Sequence, residues 1–295
     1  MHVFVTGGSG FIGAVVVPEL IANGHSVLAL ARSDANVAAL RQAGADVISG
    51  SLEQLDSLRK GAAAADGVIH LAFIHDFAKF AENGQIDKRA IEAMGEVLAG
   101  TNKPFIVTSG AGLLAPGRLA TEDDAFPSNS GLPRVSESAA FAFVPRDVRA
   151  MAVRLPQVHG ADGKCGLVGY ALEIARQKGV AAYIGDGANR WPAAHRLDVA
   201  RLYRLVLEKG RAGAAYHAVA DEGVPMRAFA DVFARHLNIP TRSVTADQAG
   251  EYYGWLAMFA GADMPASSAK TQAELGWAPR EIGVIEDIGR PGYFS

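Results

Sequence analysis

The sequence predicts an α/β fold: a doubly wound parallel sheet with a smaller C-terminal lobe. Three observations predict it. Short apolar runs alternate with helical stretches of about ten residues up to about residue 160, the pattern of βαβ crossovers in a parallel sheet. A glycine-rich segment, Thr6-Gly7-Gly8-Ser9-Gly10-Phe11-Ile12-Gly13, joins the first run to the first helix. After Pro156 the rhythm breaks into turns and separate helices.

Taken in order, Val3-Phe4-Val5 reads as a buried strand, and 11–22 as a helix stopped by Asn23-Gly24. Strand-like runs follow at 26–31, 46–48, 67–72, 104–109 and 150–154, separated by helical patterns at 36–43, 52–60, 86–98 and 134–143. Strands this short and apolar suit a sheet covered on both faces. Beyond the turn-rich joint at 160–164, helices are expected at 167–178, 197–208, 226–237 and 268–275, and a further strand at 216–219. Met226, Phe229, Val232 and Phe233 recur at helical spacing, which marks a core-facing side. The expected division is therefore 1–160 for the sheet domain and 161–295 for a lobe that threads back into it.

Composition narrows the function. Of 295 residues, 49% are hydrophobic and 20% charged, which is globular rather than disordered. The 28 Lys and Arg against 31 Asp and Glu give a charge of −3, so no basic excess points to nucleic acid or an anionic membrane. The single Cys165 rules out an intramolecular disulfide or a cysteine-cluster zinc site. The histidines are scattered and no His-Glu-x-x-His occurs, so no metal is expected. No apolar run reaches the roughly 20 residues of a membrane span, and the start lacks a secretory signal; a cytoplasmic location is expected.

The strongest chemical signal is the glycine loop. One glycine permits the tight turn, the next lets backbone approach a pyrophosphate, and the last lets helix pack on strand; unpaired amides and the positive helix end then face the phosphates. Ser9, Phe11 and Ile12 belong to the same cradle, which makes the first domain a dinucleotide-binding, Rossmann-type unit. The second strand ends Ala31-Arg32-Ser33, where an NAD-binding chain places an acidic residue for the ribose hydroxyl. Arg32 offers a guanidinium to a 2′-phosphate and Ser33 a hydroxyl, favouring NADP(H) over NAD(H). The alternative is a solvated arginine, with Asp34 reading the ribose of NAD.

At this point the chain resembles the short-chain dehydrogenase/reductase superfamily, in its extended or atypical NAD-dependent epimerase/dehydratase-like branch. The resemblance spans nearly the whole chain: the glycine loop, His70-Leu71-Ala72 closing strand four, Thr108-Ser109 closing strand five, Arg154-Leu155-Pro156-Gln157-Val158-His159-Gly160 after strand six, and His195-Arg196-Leu197-Asp198 at a late helix start. It implies that Ser51 and Leu52 lie near adenine, and that Leu71, Ala72 and Phe73 line the cofactor. It likewise implies that Thr108 and Pro156 to Val158 lie on the nicotinamide side. A homodimer through the helices near 86–98 and 134–143 is a further implication.

The chain departs from that pattern where chemistry is done. The family uses a Tyr with a Lys four residues later, the Tyr giving a proton to the developing alkoxide and the Lys lowering its pKa. None of the seven tyrosines here has that Lys; Pro133 stands in the Tyr position and Glu137 in the Lys position. Other groups must take over. Ser109 matches the family serine that bonds a substrate carbonyl. His75, with Asp76 as orienter, lies on the ligand side of the sheet and is a candidate acid. Glu137 is a candidate to accept ribose hydroxyls. His159, Lys164 and Tyr170 are further candidates for the cleft, Arg134 for an anion, and Trp255, Met258 and Phe259 for an apolar wall. Arg196 and Asp198 are expected to pair with each other. Gly-x-Ser-x-Gly is absent, so no nucleophile elbow is expected.

These readings converge on an NADP(H)-dependent oxidoreductase that moves hydride to or from a small carbonyl or alcohol, with a non-standard proton donor. Two rivals share the same fold: a catalytically silent NADP(H)-binding sensor, and an epimerase or isomerase that retains its cofactor.

Overall fold

The computed structural model describes residues 1–76, 79–126, 134–160 and 166–294. The expectations placed on Pro133, Lys164 and Cys165 fall outside these residues. The first half runs β1 His2–Thr6, α1 Gly13–Ala22, β2 Ser26–Ala31, α2 Asp34–Gln42, β3 Asp46–Ser49, α3 Leu55–Ala64, β4 Gly67–His70, α4 Phe80–Leu98, β5 Pro104–Gly110, α5 Ser136–Phe141, β6 Arg149–Leu155 and β7 Gln157–His159. The second continues α6 Gly166–Lys178, β8 Ala181–Ile184, β9 Arg190–His195, α7 Arg196–Lys209, β10 Ala215–His217, β11 Asp221–Pro225, α8 Met226–Leu237, β12 Thr241–Val244, α9 Ala246–Tyr253, α10 Ala257–Gly261, α11 Ala269–Leu275 and α12 Val284–Ile288.

Seven strands form one parallel sheet in the order β10-β6-β5-β4-β1-β2-β3. The order reverses between β1 and β4, and a ligand crevice opens at such a switch point, outside the carboxyl ends of the strands. Alternation along each strand feeds two cores. Val3 and Val5 join Ile69, Ile106 and Met151 on the face covered by α1 and α7. Phe4, between them, joins Val68, Phe105 and Ala152 on the face covered by α3, α4 and α5. Full burial of Phe4 is worth about 2–3 kcal/mol over leaving it exposed. Every strand expected in the first half forms, and the α4 helix begins six residues before the expected 86, because Asn83 and Gly84 are buried with it.

Residues beyond 160 are used in two places. α7 and β10 add to the sheet layer, β10 pairing in parallel with β6 (Tyr216 opposite Val153). α11 packs on α7 and β10, and most of the others build a separate core around Trp191, Phe229 and Tyr253, with two small sheets, β12-β8 and β11-β9-β7, the latter taking in β7 from before residue 160. Met226, Phe229, Val232 and Phe233 are all buried there, as their spacing requires. The five short strands β7, β8, β9, β11 and β12 escaped the sequence reading; each has only three to six residues. Among the described residues no helix is long and apolar enough to cross a membrane.

Candidate functional site

The C-terminal ends of β1, β2, β4, β5 and β6 open into one cleft of about 1780 Å³. A site for a drug-sized ligand is roughly 300–1,000 Å³, so this one has room for a dinucleotide and a second ligand. Its floor begins at the glycine loop. Gly7 has φ +72°, and a Cβ there would lie 2.7 Å from the Ala72 nitrogen. A Cβ on Gly13 would lie 2.1 Å from the Gly7 carbonyl oxygen, so only glycine lets α1 approach β1. A Cβ on Gly10 would meet nothing but the Gly7 oxygen, at 3.2 Å, which leaves the space above it open. α1 has Ile12 at its N-cap, with no side-chain cap and no acidic residue in its first turn. Its amides and positive end are thus left to whatever anion enters. The loop therefore fits a pyrophosphate.

Gly7, Ser9, Gly10, Phe11, Ile12 and Gly13 all line the cleft, as do Arg32, Ser51 and Leu52 at one end and Leu71, Ala72, Phe73, Thr108, Pro156 and Val158 further along. Ser33 is the exception among the expected cofactor residues. It does not line the cleft; its hydroxyl caps α2, accepting from the Asn36 amide at 3.4 Å. Arg32 is exposed on the wall.

At the other end, polar side chains hold one another. Thr6 Oγ1 lies 2.7 Å from His70 Nδ1, His70 Nε2 lies 3.1 Å from Asp87 Oδ1, and Ser136 Oγ donates to Asp87 Oδ2 at 2.5 Å. Arg134 Nε donates to Ser136 Oγ and its Nη2 to the Thr108 carbonyl, both at 2.9 Å, while the guanidinium covers the Phe73 ring at 4.1 Å. Thr108 Oγ1 donates to the His70 carbonyl at 2.8 Å, so the buried Tyr203 hydroxyl, also 2.8 Å away, donates to Thr108. Burial alone would push the Asp87 carboxyl up; the His70 bond and charge, Arg134 and Ser136 outweigh it and hold the carboxyl below its ordinary value. Asp87 and Tyr203 carry no motif, and only their position in the fold draws attention to them.

The catalytic candidates separate. Ser109 ends β5 on the cleft wall, nine-tenths buried, and its hydroxyl makes no hydrogen bond among the described residues. His75 also lines the cleft, edge-on to Phe73 at 5.4 Å. Burial and the Arg134 charge push its imidazole below the ordinary value, against a backbone hydrogen bond at Phe73. A lowered value favours the base form of the ring over the acid form. Glu137 lines the cleft too, but Arg154 Nε and Nη2 take its two oxygens at 2.9 and 2.5 Å. Arg154 in turn contacts His217 Nε2 at 3.2 Å, so Glu137 anchors a buried cluster instead of standing free for ribose hydroxyls.

Two expectations fail outright. His159 is fully buried away from the cleft, bonded to Asp287 at 2.9 Å and edge-on to His195 at 5.3 Å. Asp198 does not pair with Arg196, because positions two apart point to different sides of a helix. It bonds Arg201 one turn on and the amides of Arg280 and Glu281, while Arg196 lies over the Phe11 ring at 5.5 Å. Of the aromatic wall, Phe259 and Tyr170 line the cleft, whereas Trp255 and Met258 do not; Trp255 packs edge-on against Tyr170.

Comparison with known proteins places this geometry. The model of the NAD dependent epimerase/dehydratase family matches residues 3–220. The chain belongs to that family. An uncharacterized Schizosaccharomyces pombe protein is 45% identical over the whole of both chains. A Dictyostelium discoideum sterol-4-alpha-carboxylate 3-dehydrogenase, decarboxylating, is 29% identical over 77% of this chain and 74% of its own. Among solved structures, the dTDP-glucose 4,6-dehydratase of Streptomyces venezuelae, with NAD bound, superposes with a TM-score of 0.77 at 20% identity, covering 100% of this chain and 97% of its own. The fold is that of the short-chain dehydrogenase/reductase superfamily, and the chain is of the NAD-dependent epimerase, dehydratase or reductase type, whose members bind a nicotinamide cofactor.

Proposed function

We propose that this protein is an NADP(H)-dependent oxidoreductase that moves hydride to or from a small carbonyl or alcohol. The observation that carries the reading is Arg32: an exposed guanidinium on the cleft wall directly after β2, with no ion-pair partner among the described residues. A planar, permanently charged fork matches a ribose 2′-phosphate. Asp34, the rival reader for NAD, sits in the first turn of α2 and does not line the cleft, which weakens the NAD alternative. The Dictyostelium relative's being a dehydrogenase is in line with redox chemistry.

The bound nicotinamide supplies or takes the hydride. The chain's own part is to place and polarise the substrate oxygen. The Ser109 hydroxyl, without a competing partner among the described residues, donates to that oxygen. His75 Nδ1 or Nε2, its imidazole pushed below the ordinary value by burial and Arg134, accepts the proton of an alcohol as it is oxidised, and returns it in reduction. The buried network of Asp87, Ser136 and Arg134 keeps the end of β5 in place behind Ser109. A silent binding protein is the second reading, favoured by the locked Glu137–Arg154 pair; steady NADPH consumption with any carbonyl rejects it.

Fluorescence titration with NADPH and NADH tests the proposal. NADPH binds more tightly, and Arg32→Ala removes most of the difference, a loss of about 10- to 100-fold in NADPH affinity. Equal affinities in the unmodified protein sink the reading.

A further inference from the structure

We infer that the second ligand of the cleft is an uncharged, largely apolar carbonyl compound and not a phosphorylated or nucleotide-linked one; the inference rests on the redox reading above. Past the strand ends, the cleft wall is the outer layer of the lobe's own hydrophobic core. Leu113, Leu167 and Phe259 pack on that core, Leu172 and Met264 belong to it, and all five line the cleft. Phe126 adds a further ring.

Charged side chains on these walls are already engaged. Glu173 and Arg176 pair with each other at 3.3 Å, one helical turn apart and open to solvent. Arg134 is spent on the Thr108 carbonyl and Ser136, and Glu137 is held by Arg154. Arg32 lies at the far end of the cleft, beside Ser51. Among the described residues, the guanidinium that the lobe side offers to a phosphate is Arg176, at the solvent rim and already beside Glu173. A diphosphate pressed against the apolar part of this wall, among Leu113, Leu167, Leu172, Phe259 and Met264, would lose hydration that these side chains do not replace.

A second observation comes from the backbone. Leu113 has φ +64°, a left-handed conformation that bulky L-residues rarely adopt. The bend is set where the loop meets the lobe: a Cβ on neighbouring Gly112 would lie 3.1 Å from Met264 Sδ. Glycine or asparagine would sit there with less strain. A leucine held in that geometry on the cleft wall is the kind of local cost that persists at ligand sites.

The test uses the full chain, free and loaded with NADP+, titrated calorimetrically with 2-alkanones from butanone to decanone, with UDP-glucose and with pyruvate. NADPH oxidation by the same compounds is followed in parallel. Ketone affinity rises about three- to fourfold for each added methylene until the wall is filled. UDP-glucose and pyruvate bind more weakly than decanone. Leu113→Asn, whose side chain tolerates the left-handed backbone, lowers decanone affinity about tenfold and leaves butanone unchanged; its NADPH affinity reports that the protein is folded. A flat ketone series, or tighter binding of UDP-glucose or pyruvate than of decanone, overturns the inference and leaves the redox reading standing. Ketones that bind in the expected order but are never reduced overturn the redox reading and leave the apolar ligand. Failure to bind NADPH sinks the cofactor assignment alone, since the ketone series is also read in the free protein.

Discussion

The two ends of the cleft are in opposite electrostatic condition. Around the Gly7–Gly13 turn, the helix start has no cap and Arg32 stands on the wall without an ion-pair partner among the described residues. Around Ser136 and Glu137, each charge has found a partner within the protein: Asp87 with His70 and Ser136, Glu137 with Arg154, Arg134 with backbone and hydroxyl. One end is left open to an anion from outside; the other has neutralised itself. The contrast indicates what chemistry remains at the second end. With no Tyr-Lys pair and no free carboxylate there, the proposed work falls to neutral groups, Ser109 and His75.

The largest test is to break the self-neutralised end. Asp87→Ala removes the acceptor for His70 and Ser136 in a fully buried place. It should cost about 4 kcal/mol in urea unfolding, because the partners stay behind unpaired. The pH dependence has a definite sign. The folded Asp87 carboxyl lies below its ordinary 3.8, so its contribution is full above about pH 4 and drains away as pH falls through the folded value. The alanine variant should lack that acid-side loss. An Asp87→Ala protein as stable as the parent would mean that the network adds nothing.

Next in size is the neutral-base role of His75. Alcohol oxidation, measured as kcat/KM against pH, should be flat through neutrality and fall only on the acid side, below the ordinary imidazole value of about 6.5, since the base form is lost only there. His75→Gln should lower the rate about 100-fold, or about 2.7 kcal/mol, and abolish the acid limb. A limb that survives the substitution assigns the base to another group.

The smallest test separates two neighbours at the open end. Ser33→Ala loses a long capping bond, about 0.5 kcal/mol of stability, and leaves NADPH affinity untouched. If NADPH affinity drops with Ser33→Ala as it does with Arg32→Ala, the serine also reaches the ribose and the contrast between them disappears.

Most of the sheet was readable because its signals are local. β2 runs from Ser26 to Ala31 and α8 from Met226 to Leu237, the bounds that apolar runs and helical spacing indicate. The glycine loop was readable for the same reason: turn, strand and helix are contiguous. The lobe sheets were not, because β8 pairs with β12 about sixty residues away and carries two alanines in four residues, too little periodicity to stand out. The catalytic end was hidden for a different reason. Asp87 meets His70 and Ser136 across 17 and 49 residues, and no spacing in the chain announces that meeting. Glu137 was visible as a charge in a familiar place; that Arg154 occupies it follows only from α5 lying against β6.

The chain of bonds from Thr6 to Ser136 has one more consequence. An ionised carboxylate only accepts, so His70 must carry its proton on Nε2 toward Asp87. Thr6 Oγ1 sits 2.7 Å from the other ring nitrogen, Nδ1, and accepts the Ala72 amide, 3.3 Å away. Donors thus converge on Asp87 from both sides, His70 from the foot of the glycine turn and Ser136 from α5. The turn's lower edge is thereby tied, through Thr6, His70 and Asp87, to the start of α5 before any ligand arrives.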